Sequence, residues 1–262
     1  MKAIVTICNE LYNPLLKLWL ERICAHTKLP VYVLSIGHIK TLKNLPCNYI
    51  LINKKGNPFP PDRPDHACAE KLRIFNHLPK NIKEVLFIDI DVMVLFNFWT
   101  TNKYFEKSHK YFIATQDFFV GYKEKMEDEF KPFNPKFIMK YLPDKSYFYF
   151  NTGVFFASRK LHENFFKICL NDWKKYVKSQ KKYPSIFDQN IFNYCLITHA
   201  IKVKPMPIKN NCLRQYNPMV KNNQLWLGKK KVYAMHFNGG DIQKKLRRWK
   251  ELKNELEIKK YA

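Results

Sequence analysis

The chain has 262 residues, of which 46% are hydrophobic and 16% aromatic, enough to bury one substantial core but too few for two independent domains. Lysine and arginine total 46 against 22 aspartate and glutamate residues, and the resulting net charge of +24 attracts phosphate-rich or other anionic partners. No apolar run reaches the roughly 20 residues of a membrane-spanning helix, so we do not expect an integral membrane protein.

The N-terminal residues and the cysteines indicate a reducing compartment. The chain opens directly on an apolar β-branched run with no secretory signal, so we expect a cytoplasmic protein. The 7 cysteines are far apart and form no C-x-x-C pair, which favours free thiols over a zinc knuckle or a redox motif. None of the familiar nucleic-acid-binding patterns accompanies the scattered lysines, so we do not expect nucleic acid as a partner.

Short apolar runs alternate with helical patterns through the first hundred residues, as is typical of an α/β fold with a mainly parallel sheet. The predicted strands are AIVTI, VYVLS, YILI and EVLFIDID, and the predicted helices span about 11–26 and 66–77. A loop is predicted at Pro58, Pro60, Pro61 and Pro64, because fixed φ angles and missing N–H groups oppose helix and sheet. Strands at FIATQ and FYFNTGVFFAS follow, with helices near 160–176 and 185–196.

The last predicted element is a basic amphipathic helix. Its apolar residues recur every three or four positions and fall on one stripe: Ile242, Leu246, Trp249, Leu252 and Leu256. This stripe either packs against the core or, together with the neighbouring lysines and arginines, lies on an anionic membrane surface. The second alternative would place the protein peripherally on the cytoplasmic face of the membrane.

The strand VLFIDIDVMVLF carries two carboxylates, Asp89 and Asp91, in otherwise apolar surroundings. Side chains two residues apart on a strand point to the same face, so we expect both carboxylates to converge at the end of this strand. Two like charges in a partly dry site are unfavourable unless a cation neutralises them, which indicates a divalent metal. The alternative is structural, with Asp91 beginning a turn and Asp89 making a local hydrogen bond.

Two chemistries use such an acidic pair. One is the D-x-D-x-[TV] motif of haloacid dehalogenase-like phosphatases, in which Asp89 would be the phosphoryl-accepting nucleophile. The later acidic pair of that family has no counterpart here, since Asp241 is followed by Ile242 and Gln243. The other is the D-x-D of GT-A glycosyltransferases, which coordinates a metal that bridges the donor diphosphate.

Five further segments, in order, carry a specific resemblance: AIVTICNELY, EKLRIFNHLP, FNTGVFFAS, SIFDQNIFN and VYAMHFNGGDIQKK. Together with the acidic pair they resemble glycosyltransferase family 8, the glycogenin and bacterial lipopolysaccharide galactosyltransferase-like group. The resemblance runs from the first strand to the final helix. It implies a single GT-A, Rossmann-like domain with a mixed, mainly parallel sheet over residues 1–240, followed by the basic helix at 241–262.

The resemblance implies contacts to the nucleotide at the N-terminal side. Thr6, Asn9 and Tyr12 would meet the uracil and ribose. Lys71, or alternatively Arg73, would touch the donor phosphate or sugar.

The resemblance also implies contacts to the donor sugar. Asn151 would lie beside the sugar, with Gly153 allowing a close backbone approach. Asp188 would face the sugar hydroxyls, and Gln189 would lie under the anomeric carbon. For Asp188 a structural alternative is a capping box with Ser185 at the start of a helix.

For the metal and the diphosphate, the resemblance makes His236 the third protein ligand beside the two aspartates. Gly239 and Lys244 would grip the diphosphate, with Lys245 as a possible substitute for Lys244. The pattern departs from the family here, since Ile242 stands where a lysine is usual.

The implied activity is a metal-dependent hexosyl transfer from a UDP-sugar, with retention, to a saccharide, lipid-linked or protein acceptor. The imidazole ligand favours Mn²⁺, with Mg²⁺ possible. The alternatives are a haloacid dehalogenase-like phosphohydrolase that uses Asp89 as its nucleophile and a non-catalytic basic nucleic-acid-binding protein.

Overall fold

The structure, a computed structural model, describes residues 1–37, 46–52, 57, 64–100, 103–117, 149–179 and 188–257. The strands of this part of the chain are β1 (Lys2–Asn9), β2 (Val31–Ile36), β3 (Asn48–Leu51), β4 (Glu84–Ile88), β5 (Val92–Val94), β6 (Phe112–Gln116), β7 (Phe150–Ser158), β8 (Val203–Met206), β9 (Cys212–Leu213), β10 (Met219–Lys221), β11 (Gln224–Leu227), β12 (Lys230–Lys231) and β13 (Ala234–His236). The helices are α1 (Asn13–His26), α2 (Pro64–Lys71), α3 (Ile74–His77), α4 (Tyr104–Lys107), α5 (Arg159–Ser179), α6 (Asp188–Thr198) and α7 (Ile242–Glu257).

The central sheet has seven strands in the order β3-β2-β1-β4-β7-β6-β8. Neighbours from β3 to β4 run parallel, β7 runs antiparallel to both β4 and β6, and β8 returns parallel to β6. The sheet is therefore mixed and mainly parallel, which confirms the predicted α/β class. Every residue of β2, β4 and β7 is buried, as expected for strands covered on both faces.

Alternate residues of the strands contribute their side chains to two different apolar cores. Ala3 and Val5 of β1 pack into a core with α5 and α6, whereas Ile4 packs into a core with α1 and α7. The first core is rich in phenylalanine, with Phe112 and Phe192 stacked at 5.6 Å between ring centroids. The sheet thus lies between two helical layers. The polar side chains of the site described below lie beyond the end of its central strand β4.

The predicted strand EVLFIDID is shorter than its sequence pattern indicates. Strand β4 ends at Ile88, and the acidic pair lies in a turn in which the Val92 N–H donates to the Asp89 carbonyl at 3.0 Å. The placement of both aspartates on the strand was therefore wrong. Their convergence has another cause, described below.

The predicted helix over 66–77 is two helices. Leu72 and Arg73 donate backbone hydrogen bonds three residues back, a tighter pattern that ends α2 before α3 begins. Pro64 stands at the first position of α2, where a missing N–H group needs no partner. Pro58, Pro60 and Pro61, by contrast, lie outside the described residues, as does Ser185 of the predicted capping box.

Helix α7 carries the predicted apolar stripe, and the stripe packs against the protein. Trp249 and Leu252 are 1% and 8% exposed and belong to the same core as α1, and the Trp249 ring lies 5.8 Å from that of Phe237. Of the two alternatives for the stripe, packing against the core is the one that the structure contains. In the described part of the chain, no helix combines the length and apolarity that crossing a membrane requires.

Replacing Trp249 with Ala should lower the free energy of unfolding by about 3–5 kcal/mol, because it empties a fully buried indole site. Lys250→Ala, on the exposed face of the same helix, is the matched control and should change stability by less than about 0.5 kcal/mol. Urea unfolding followed by circular dichroism measures both. Equal stabilities of the two variants would contradict the packing of α7.

Candidate active site

Two carboxylates and an imidazole meet beyond the end of β4. Strand β13 pairs antiparallel with β5, and its His236 lies opposite Val92, next to the acidic turn. The Nε2 atom of His236 lies 3.3 Å from the Asp91 carboxylate, and ligand atoms of Asp89, Asp91 and His236 lie within 4.8 Å of one another. The β5–β13 ladder, rather than strand periodicity alone, therefore brings the predicted metal ligands together.

Burial and neighbouring charges act differently on the two aspartates. Burial raises the pKa of Asp89 to about 6, with the nearby carboxylates adding to the rise and Lys71 opposing it. Burial also disfavours the charge of Asp91, but His236 and Lys245 outweigh it and lower the pKa of that carboxyl. Asp91 is thus firmly charged, whereas burial and the neighbouring carboxylates disfavour the charge of Asp89.

Lys71, the last residue of α2, joins the acidic turn to α6. Its Nζ atom lies 2.9 Å from the Asp89 carboxylate and 2.7 Å from that of Asp188. Burial disfavours its charge, but the two carboxylates outweigh burial and raise the pKa of Lys71. Arg73, the alternative to Lys71, instead pairs with Glu70 at 2.7 Å, away from the acidic pair.

The predicted sugar-side residues form a connected hydrogen-bond network. The Asn151 amide donates to the Gln189 carbonyl oxygen at 3.0 Å, and Gln189 donates to Asp117 at 3.2 Å. Asp188, the first residue of α6, accepts from Thr152 at 2.8 Å as well as from Lys71. Asn151, Asp188 and Gln189 therefore lie together, with their orientations fixed from several elements.

Gly153 is the position of closest approach in the site. A Cβ atom there would lie 2.4 Å from Cε1 and 2.7 Å from Nδ1 of His236. The group that the glycine accommodates in this structure is thus the imidazole. The Gly153 N–H donates to the Asn151 side-chain oxygen at 2.9 Å, which links the imidazole to the sugar-side network.

The predicted nucleotide-side residues lie on β1 and just beyond it. Thr6 is fully buried, and its hydroxyl has no hydrogen-bond partner among the described residues. Asn9 caps the short turn Glu10–Tyr12 by accepting from the Tyr12 N–H at 3.2 Å. Tyr12 in turn lies beneath Lys245, whose Nζ is 5.3 Å from the ring centroid. Tyr12 therefore reaches the acidic turn through Lys245, and Asn9 holds the turn that carries Tyr12.

At the C-terminal side, Lys245 and not Lys244 joins the acidic turn. The Lys245 Nζ lies 2.5 Å from the Asp91 carboxylate and is buried, whereas Lys244 is exposed and packs its stem over Gly240. The physical reason is helix phase, because Lys245 precedes buried Trp249 by four residues and so shares its inward face. Of the two lysines that the sequence left open, Lys245 is therefore the one at the acidic turn, and the diphosphate contact of either stays a prediction.

Gly239 and Gly240 form the turn that leads from β13 into α7. Their φ angles are +71° and +79°, a region that favours glycine. Gly239 has no atom within 4 Å of a Cβ position, so it stays open to solvent. Together with Arg214 and Arg248, the two glycines line a cavity of about 410 Å³.

Sequence reasoning named Lys245 only as a substitute for Lys244, and it missed three members of the network: Thr152, Asp117 and Asn211. Asn211 donates to the Asn151 oxygen at 2.7 Å, just before β9, which runs parallel to β13. Thr152 lies within the segment FNTGVFFAS that marks Asn151 and Gly153, whereas no local motif marks Asp117 or Asn211. For Lys245, the helical spacing to Trp249 was a usable signal.

The donor set suits a divalent cation. Two carboxylates and the Nε2 atom of His236 face one another, whereas the His236 Nδ1 atom is buried with no partner among the described residues. Oxygen with one nitrogen is a set that Mn²⁺ accepts readily, and Mg²⁺ less so. Asp89, Asp91 and His236 therefore fit the predicted metal site.

Comparison with known proteins gives one family match and a consistent set of solved structures. Residues 43–249 match the model of the family described as nucleotide-diphospho-sugar transferase. No curated protein matches the sequence significantly. Among solved structures, the galactosyltransferase LgtC, in complex with donor and acceptor sugar analogs, aligns over 97% of this chain and 96% of its own with 18% identity and a TM-score of 0.66.

Two further structures resemble the chain. Mouse xyloside xylosyltransferase 1 aligns over 91% of this chain and 98% of its own, with 13% identity and a TM-score of 0.59. The glycosyltransferase GlyE of Streptococcus pneumoniae TIGR4 aligns over 95% of this chain and 63% of its own, with 13% identity and a TM-score of 0.57. At these identities the likeness establishes a shared fold.

Gly153→Ala should be destabilising because its methyl group collides with the His236 ring, an overpacking cost of about 1–3 kcal/mol. In a His236→Ala background the collision is absent, so the same substitution should cost less by at least about 1 kcal/mol. Urea unfolding of the wild type, both single variants and the double variant measures this coupling. An equal cost in the two backgrounds would contradict the described contact.

Proposed function

The chain belongs to the nucleotide-diphospho-sugar transferase family and has the GT-A glycosyltransferase fold of family 8-like enzymes; from this premise we propose that it transfers a hexose from a UDP-sugar in a metal-dependent reaction. The acceptor is a saccharide, free or linked to lipid or protein. The observation that carries the proposal is the convergence of Asp89, Asp91 and His236 within 4.8 Å at the end of β4.

In this proposal, Asp89, Asp91 and His236 hold the cation. When bound, the cation acts as a Lewis acid that stabilises the negative charge of the departing diphosphate. Lys71 and Lys245 already lie 2.9 Å and 2.5 Å from the two carboxylates, so both ammonium groups border the place where that charge develops. Fixed positive groups in a partly dry site are the general form of electrostatic catalysis.

The sugar-side network supports positioning rather than nucleophilic attack by the protein. The Gln189 side chain is a neutral amide and a poor nucleophile, and its hydrogen bonds to Asn151 and Asp117 fix its orientation. The Asp188 carboxylate is engaged by Lys71 and Thr152. We therefore favour retention by front-face attack, with these residues orienting the donor sugar.

Neither rival function gains support from the site. The family whose model matches the chain is a nucleotide-diphospho-sugar transferase and not a dehalogenase-like hydrolase. A non-catalytic nucleic-acid-binding protein gives no reason to gather two buried carboxylates and a partly buried one around two buried lysines. The matched family segment, 43–249, includes the acidic pair, Asp188 and His236.

UDP and Mn²⁺ should stabilise the fold together much more than either does alone, because the diphosphate approaches the carboxylates only with a cation between them. At about 100 times its dissociation constant, the joint ligand adds about 2.7 kcal/mol, or roughly 5–10 °C in Tm. Thermal melts of wild type, Asp91→Asn and Glu106→Gln measure this. Asp91→Asn should lose the joint shift, whereas Glu106→Gln, an exposed carboxylate outside the site, should keep it.

The proposal would be contradicted if UDP and Mn²⁺ together raised the Tm of the wild type no further than the more effective of the two ligands does alone. An Asp91→Asn variant that retains sugar transfer would equally contradict the proposed metal site.

The transferred sugar should keep the anomeric configuration that it had in the donor, since Asp188 and Gln189 match the donor-side residues of a retaining family. Donor hydrolysis with UDP-glucose, UDP-galactose and their N-acetyl forms identifies the sugar. Proton NMR of the first-formed product then reads the anomeric coupling. An inverted signal before mutarotation would rule out retention.

A further inference from the structure

A second group of potential metal ligands lies between α5 and α6, apart from the acidic turn. It consists of Asp172, Cys195 and His199, whose ligand atoms lie within 4.8 Å of one another. The His199 Nε2 atom is 3.1 Å from the Asp172 carboxylate, and the Cys195 sulfur is 3.9 Å from the same oxygen. The proposed donor site uses none of these residues.

The fold fixes this group through two packed helices. Cys195 and His199 are four residues apart, and the His199 N–H donates to the Cys195 carbonyl at 3.0 Å, so helical geometry continues to His199. Ala200 follows with a φ of +50° and ends that geometry. Asp172 faces them from α5, where the exposed Lys175 engages its other carboxylate oxygen at 3.6 Å and leaves Oδ2 toward the group.

The observed spacings suit tetrahedral coordination. Zinc bonds of about 2.0–2.3 Å to oxygen, nitrogen and sulfur place neighbouring ligand atoms roughly 3.3–3.8 Å apart. The distance of 3.1 Å from Asp172 Oδ2 to His199 Nε2 lies near the lower end of that interval. The distance of 3.9 Å from the same oxygen to Cys195 Sγ lies near its upper end. Small side-chain adjustments would therefore suffice to surround one cation.

The ligand types distinguish this group from the acidic turn. A thiolate with an imidazole and a carboxylate selects a zinc-like cation, whereas Mn²⁺ and Mg²⁺ prefer oxygen. A second buried thiol, Cys169, lies one turn before Asp172 on α5, near Cys195.

Access is available from solvent. Cys195 is buried, Asp172 is partly exposed and the His199 side chain is 37% exposed, so a cation can reach the thiol past the imidazole. Binding would deprotonate the thiol and release its proton to solvent.

We propose that Asp172, Cys195 and His199 form a second metal site, for Zn²⁺ or a similarly thiophilic divalent cation, that clamps α5 to α6. Helix α6 begins with Asp188 and Gln189, so the clamp stabilises the helix that carries two residues of the candidate active site. The site is independent of the proposed donor chemistry.

Titration of the full-length protein with Co²⁺ under reducing conditions tests the proposal. A Co²⁺–thiolate bond gives a near-ultraviolet charge-transfer band that oxygen and nitrogen ligands do not give, so cobalt at Asp89, Asp91 and His236 is silent in this readout. We expect a saturable band in the wild type that excess Zn²⁺ abolishes. The band should persist in Asp89→Asn.

Three variants identify the residues that bind the Co²⁺ ion responsible for the band. Cys195→Ser should lose it, and His199→Ala, an exposed change that leaves the core intact, should weaken Co²⁺ binding at least about tenfold. Cys24→Ser is the matched control, a partly buried thiol on α1, and should keep the band. The proposal would be overturned by the absence of a band in the wild type, by a band that survives in Cys195→Ser, or by a band that disappears in Cys24→Ser.

Discussion

The neutralisation of buried carboxylates is the constraint on which the rest of the structure depends. Asp89, Asp91 and Asp188 meet at the edge of the central sheet, where isolated charges would be strongly unfavourable. Lys71 contacts the first and third, and Lys245 contacts the second, all within 2.9 Å. Two ammonium groups thus face three carboxylates, and the cluster retains the capacity to bind further positive charge.

The elements that meet there come from distant parts of the chain. Lys71 and Asp188 are 117 residues apart, and Lys245 and Asp91 are 154 apart, so the cluster forms only when α2, α6 and α7 have docked. Helix α7 docks through Trp249, which places Lys245 on the buried face. The apolar packing of Trp249 against the core therefore also places the Lys245 ammonium group at the acidic turn.

The sequence allowed the α/β class, the succession of strands and helices in the first half and the convergence of the acidic pair to be predicted, because these depend on local patterns. It misplaced Asp89 and Asp91 on a strand, since the turn after Ile88 is set by the β5–β13 ladder and not by residue type. It left Lys244 and Lys245 as alternatives, and helix phase places Lys245 at the acidic turn. The Asp172, Cys195 and His199 group has no motif spacing, because it joins two helices.

Metal and diphosphate binding at one site is the central claim, and pulsed electron paramagnetic resonance of Mn²⁺ with UDP tests it most directly. The predicted spectrum shows ¹⁴N coupling from one imidazole and ³¹P coupling from the diphosphate on the same ion. His236→Ala should remove the ¹⁴N coupling and keep the ³¹P coupling. A wild-type spectrum with ³¹P coupling but no imidazole coupling would contradict the account.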